Sequence, residues 1–138
     1  MKYILDTASL LQSLHPQVTA KYRSVDLPDV LLPIVTCAEL IRGRCEVLLK
    51  ADTETRRIRA SAQLKETLAF IRRFEIVLID ARLEQHLRTV RAGKPARSRS
   101  YADAMNAAIA LTENSVLVTR NLKDFVGIPN LKVENWAV

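Results

Sequence analysis

Four acidic residues, Asp6, Glu39, Asp103 and Asp124, stand where apolar runs give way to polar turns or to the first turns of helical patterns. Carboxylates gathered at one place repel one another, and a hard divalent cation reverses that repulsion. A donor set made of oxygen alone, without histidine, suits Mg²⁺ or Mn²⁺. Such a site supports phosphoryl chemistry, in which the cation activates water and neutralises charge on the phosphate under attack. Taken singly, each acid has plainer work. Asp6 caps a helix, Glu39 completes a capping box with Thr36, Asp103 complements a helix dipole, and Asp124 sits on a solvated turn. The chemistry therefore depends on whether the fold brings the four together.

The elements that must position them are legible as runs and periods. Tyr3, Ile4 and Leu5 form a short strand that stops at Asp6, and Ser9, Leu10, Leu11 and Leu14 continue at helical spacing until His15 and Pro16. A second short helix is predicted over residues 18–25 and a strand over residues 30–35, with Pro33 implying irregular pairing. The capping pattern Thr36-Cys37-Ala38-Glu39 predicts a helix from Thr36 to about Leu49. Ala60, Leu64, Leu68 and Ile71 stripe a longer one, and the two form a hairpin with Arg56, Arg57, Arg59 and Arg72 outside. Residues 75–79 read as a strand, and Leu83, Leu87 and Val90 as a helix ending at Gly93. A buried helix follows over residues 102–111, then strands over residues 116–118 and 131–133. Strands alternating with helices indicate an α/β domain: a mostly parallel sheet of four to five strands sandwiched between helices in three layers. In such sheets ligands bind at the carboxyl ends of the strands, where all four acids fall.

The chain has 138 residues, enough for one core but not two, so residues 1–138 are expected to form a single domain. Hydrophobic residues make up 49% and charged residues 26%, which excludes disordered and collagen-like classes. No apolar run approaches the roughly 20 residues that span a bilayer, so a cytoplasmic protein without membrane contact is predicted. The net charge of +6 favours polyanionic partners such as nucleic acid. Cys37 and Cys45 lie eight residues apart on one helix, beyond disulfide reach, and read as buried reduced thiols. His15 and His86 are isolated and give no metal-ligand spacing.

The acid-bearing segments resemble the PIN-domain ribonucleases, and in particular the VapC-type toxins of prokaryotic toxin–antitoxin pairs. Tyr3-Ile4-Leu5-Asp6-Thr7 is similar to that family's first motif and Thr36-Cys37-Ala38-Glu39-Leu40-Ile41-Arg42-Gly43 to its second. Ala102-Asp103-Ala104-Met105-Asn106-Ala107-Ala108-Ile109-Ala110 resembles the third. The most specific piece is Leu117-Val118-Thr119-Arg120-Asn121-Leu122-Lys123-Asp124-Phe125, followed by Ile128-Pro129 and Val133-Glu134-Asn135-Trp136. The resemblance implies a PIN-like fold and an Mg²⁺-dependent endoribonuclease acting on single-stranded RNA, with Mn²⁺ as an alternative ion. Asp6, Glu39, Asp103 and Asp124 would be its catalytic metal ligands, and Thr7, Thr119 and Asn121 would orient carboxylates or water. It also implies a homodimer and a small antitoxin that covers the acidic groove. One departure is Ala8, where the family usually has Asn.

Between Glu84 and Asp103 there is no acid, while Arg88, Arg91, Lys94, Arg97 and Arg99 all occur. Lys94, Arg97 and Arg99, in a polar loop beside Asp103, are the candidates for gripping RNA phosphates. Two readings outside the nuclease class have less support. A dehalogenase-type phosphatase needs a second Asp where Ala8 stands. A phosphoacceptor receiver at Asp80 lacks its acidic pair, which leaves Asp80 as a helix cap. A housekeeping RNA-processing nuclease and a non-catalytic RNA-binding or interaction module are the alternatives within the family.

Overall fold

A computed structural model describes residues 1–6, 27–92 and 100–136. The helices expected within residues 9–25, the Ala8 departure and the basic loop at 93–99 lie outside the described residues. Among the described residues the order is β1 (Tyr3–Leu5), a 3₁₀ turn (Leu27–Asp29), β2 (Val30–Pro33), α1 (Ile34–Leu49), α2 (Glu54–Ile71), β3 (Glu75–Val77), α3 (Leu83–Ala92), α4 (Tyr101–Thr112), β4 (Val116–Val118), a second 3₁₀ turn (Leu122–Phe125) and β5 (Val133–Glu134).

The five strands form one sheet in the order β3-β2-β1-β4-β5, with every pairing parallel. Parallel strands buried on both faces need apolar residues at successive positions, and each face here has its own core. Ile4, Leu31 and Leu117 pack with Leu83, Leu87 and Val90 of α3 and with the alanine-rich side of α4. Leu5, Val30, Leu32 and Val118 pack on the other face with Cys37, Leu40, Ile71 and Phe74. The result is the three-layer α/β arrangement that the sequence pattern predicts. Trp136 joins the second core and leans on Tyr3 with ring centroids 5.3 Å apart, which pins the closing segment to the start of β1.

Several boundaries differ from the sequence reading, and the last strand spans Val133–Glu134 rather than residues 131–133. β2 ends at Pro33 rather than residue 35, and α1 begins at Ile34 rather than Thr36. Pro33, at φ −61° and ψ 143°, is itself the residue before the helix and makes no side-chain cap. Its ring presets a φ suited to helix entry, so the helix starts two residues early and the Thr36–Glu39 capping box does not form. β3 stops at Val77 because its last rung pairs with Pro33, beyond which the neighbouring chain is helical. Leu78 and Ile79, read as strand, are instead 68% and 48% exposed at the sheet's edge. The α1–α2 hairpin forms as expected, with Arg44 Nε donating to Thr67 Oγ1 at 3.1 Å across it. The thiol of Cys37 is buried, which raises its pKa, and that of Cys45 is half-buried; neither forms a disulfide.

Candidate functional site

In the order β3-β2-β1-β4-β5 the chain moves outward from β1 on one side and returns to the other side through β4. The carboxyl ends of β1 and β4 thus flank the point where strand order reverses, the crevice that open parallel sheets offer to ligands. Asp6 sits directly at that point. It follows β1, is only 4% exposed, and its backbone N–H donates to the Val118 carbonyl at 3.3 Å, extending the β1–β4 ladder by one rung.

Glu39 comes from α1, half-buried and in the second helical turn. The link between it and Asp6 is a side chain that the sequence assigned to other work. Thr36, fully buried, donates its hydroxyl to the Leu5 carbonyl at 3.2 Å and so ties the first turn of α1 to the peptide preceding Asp6. Thr36→Val keeps the shape and removes the donor. It is expected to lower unfolding free energy by about 1 to 3 kcal/mol, the usual cost of a buried hydrogen bond lost on one side. A urea midpoint equal to that of wild type would show that this bond holds nothing.

Asp103 stands in the first turn of α4, whose N-cap is Ser100; the Asp103 N–H donates to Ser100 Oγ at 3.0 Å. Asp124 is half-buried in the second 3₁₀ turn, its N–H donating to the Asn121 carbonyl at 3.0 Å. That turn is shaped from below by Thr119, fully buried at the end of β4, whose Oγ1 accepts from the Asn121 N–H at 3.1 Å. Thr119 also donates its backbone N–H to the Glu134 carbonyl of β5 at 3.0 Å. Asn121 is exposed, and its side chain makes no cap bond.

The electrostatics of Asp103 report the neighbourhood. Burial pushes its carboxyl above the usual range, a hydrogen bond with Ser100 pulls the other way, and the charges of Asp124, Asp6 and Glu39 all push it up. The four acids, dispersed over 119 positions of sequence, therefore share one electrostatic environment at one edge of the sheet. Among the described residues no three His, Cys, Asp or Glu side chains converge tightly enough to hold an ion unaided. An all-carboxylate donor set is of the kind hard divalent cations take, and an ion such as Mg²⁺, which keeps several waters, needs only one or two of them directly.

Other sequence candidates fall elsewhere. Thr7, Lys94, Arg97 and Arg99 lie outside the described residues. Asp80 accepts from the backbone and guanidinium of Arg82, which holds its carboxyl below the ordinary range and occupies the oxygens a phosphoacceptor would need free. Tyr101, 65% exposed at the start of α4, carries the Arg91 guanidinium over its ring at 5.5 Å. A cleft of about 510 Å³ between α1 and α2, lined by Lys50, Arg56 and Arg59, contains none of the four acids. One contributor escaped the sequence reading, Thr36 in its tether role.

The PIN domain family model matches residues 3–129. The chain is 25% identical over 142 residues to Ribonuclease VapC2 of Rickettsia felis, an alignment covering 99% of this chain and 98% of that protein. Among solved structures it is similar to VapBC-1 from nontypeable Haemophilus influenzae, with a TM-score of 0.79, 23% identity and full coverage of both chains. It is also similar to DNA-bound VapBC from Salmonella typhimurium, with a TM-score of 0.79 and 25% identity over 99% of this chain and 98% of that one. No helix among the described residues is long and apolar enough to cross a membrane.

Proposed function

The chain belongs to the PIN domain family, and from that premise we propose that it is an Mg²⁺-dependent endoribonuclease that hydrolyses phosphodiester bonds in single-stranded RNA, as the toxin of a toxin–antitoxin pair. The observation that carries the reading is the PIN domain match over residues 3–129, together with Asp6 buried at the point where strand order reverses and Asp103 within the fields of Asp124, Asp6 and Glu39. Packing alone gives no reason to gather four like charges there, whereas a cation that neutralises them does. Asp6, Glu39, Asp103 and Asp124 are the ligand set of this proposal, with Mn²⁺ as a substitute ion.

When bound, the cation activates water and neutralises charge on the scissile phosphate. The chain's own residues set the stage for that chemistry. The β1–β4 ladder holds the backbone of Asp6, and the Thr36 tether ties the helix that carries Glu39 to the end of β1. Asp103 is anchored by the Ser100 cap, and Asp124 by the turn that Thr119 shapes. Thr7, Thr119 and Asn121 are proposed to orient carboxylates or water. A proton on Asp103 competes with the cation, so affinity for Mg²⁺ falls as pH drops through its raised pKa.

Lys94, Arg97 and Arg99 are proposed to receive RNA phosphates, in keeping with the net charge of +6. Replacing Arg97 and Arg99 together with Gln is expected to weaken RNA binding and flatten the log–log salt slope by roughly 1.4, at about 0.7 per single-strand phosphate contact. An unchanged slope would return the loop to a solvated role. The likeness to VapBC is in keeping with a small antitoxin partner, and a homodimer is proposed beside it. The deciding experiment is incubation of total RNA with the purified protein, stripped of co-purifying partner, in Mg²⁺ and in excess EDTA. Discrete cleavage in Mg²⁺ alone is expected. Equal cleavage in EDTA, or none in either, would overturn the reading.

A further inference from the structure

The α1–α2 hairpin holds most of the chain's net charge. Residues 42–73 carry nine basic and four acidic side chains, which accounts for five of the six net positive charges. In the cleft of about 510 Å³ between the two helices, Lys50, Arg56, Arg59 and a single acid, Glu46, stand about Val47 and the buried Ala60. Arg56 is engaged by Asp52 at 2.7 Å and Glu46 by Arg42 at 3.9 Å, while Lys50 and Arg59 have no ion pair among the described residues. Two cations of the cleft are therefore available to an anion from outside the chain.

Gly43 lines the same cleft from the interior of α1. A glycine inside a helix costs stability relative to alanine. No neighbour demands it here, because a Cβ at position 43 would meet nothing within 4 Å. The open space above that backbone suits close approach by a molecule that the chain itself does not supply. Helical period also links the cleft to the acids. Glu39, Gly43, Glu46 and Lys50 follow one another at alternating steps of four and three residues, the spacing of a single helix face. Along that face Lys50 stands about 16 Å beyond Glu39, at 1.5 Å of rise per residue.

We propose that the α1–α2 cleft binds the RNA strand on one side of the cut, with Lys50 and Arg59 receiving phosphates and the sugar-phosphate backbone passing close over Gly43. The inference rests on the ribonuclease reading given above and extends it, since the basic loop proposed there adjoins Asp103 in sequence, and this cleft lies along the helix of Glu39. Phosphate contacts of this kind fix a strand's position without reading its bases. An RNA strand held at the acids must continue past them, and this face gives it a cationic path. An acidic protein segment has no such reason to follow the face from Glu39.

The test is an anisotropy titration of fluorescent oligouridylate in EDTA, where the strand stays intact, using the full chain as wild type, Lys50→Gln with Arg59→Gln, and Gly43→Ala. The double variant is expected to flatten the log–log salt slope by roughly 1.4, so that a fourfold rise in salt costs it about 7-fold less affinity than it costs wild type. Gly43→Ala is expected to melt about 2 to 4 °C higher, because alanine favours the helix, yet to bind the RNA more weakly at every salt concentration. An unchanged slope in the double variant, or undiminished affinity in Gly43→Ala, would overturn the inference and leave the acidic site standing. So would polyglutamate binding that is lost in the double variant while RNA binding persists, which would give the cleft to an acidic protein segment. Wild type that cuts RNA in Mg²⁺ but binds none in EDTA also overturns the inference. Wild type that neither binds nor cuts RNA overturns the ribonuclease reading, and this inference with it.

Discussion

Asp6→Ala and Asp103→Ala are each expected to reduce Mg²⁺-dependent RNA cleavage by more than about 100-fold, since loss of a group that merely supports a metal ligand already costs up to about that much. The two acids reach the site by unrelated routes. Asp6 arrives at the end of a strand whose next backbone N–H bonds Val118, and Asp103 arrives in the first turn of a helix capped by Ser100. Alanine keeps both backbone bonds, so the carboxylates are removed while their positions remain. Folding is not at risk from the charge loss, because each substitution relieves repulsion among the remaining three acids. Cleavage of total RNA, measured beside a melting curve for each variant, checks the expectation. Undiminished cutting by either folded variant would remove that acid from the site.

Asp103→Asn separates the metal site from the plainer role of an acid at a helix start. Asparagine retains the backbone bond to Ser100 and removes a charge that burial and three neighbours hold at a disadvantage. In EDTA at neutral pH the variant is therefore expected to melt at or above wild type. In Mg²⁺ the order reverses. Ligand at about 100 times Kd stabilises the native state by about 2.7 kcal/mol, a gain wild type receives and the variant largely lacks. If Asp103 only complemented the dipole of α4, asparagine would instead cost up to about 1 kcal/mol and Mg²⁺ would shift both proteins alike.

The pH dependence follows from the same carboxyl. Its pKa in the folded protein lies above the ordinary 3.8, so the native state holds this proton more tightly than the unfolded chain does. The destabilisation it causes is fully present above the raised pKa and is relieved as pH falls from there toward 3.8. Metal-free wild type should gain stability over that window relative to Asp103→Asn, which has nothing to titrate. Parallel curves for the two proteins would show that the crowding of charge is absent in solution.

What the sequence determined by itself was whatever neighbouring residues decide. Tyr3, Ile4 and Leu5 must be buried and extended, and the apolar surface of residues 104–110 forces α4 into the interior. The parallel βα alternation then sends residues after strands to one edge of the sheet, so Asp6, Glu39, Asp103 and Asp124 could be named before any coordinates. Local pattern failed where a distant partner competed for the same group. Thr36 has the spacing of a helix cap, but the carbonyl it bonds belongs to Leu5, 31 residues away, and Pro33 had already begun the helix. Leu78 and Ile79 continue an apolar run, but a strand lasts only as long as its neighbour, and β2 stops at Pro33. Only the tertiary structure could show that Asp103 feels the other three acids. Burial and electrostatic fields belong to the space between elements, and no window of sequence contains that space.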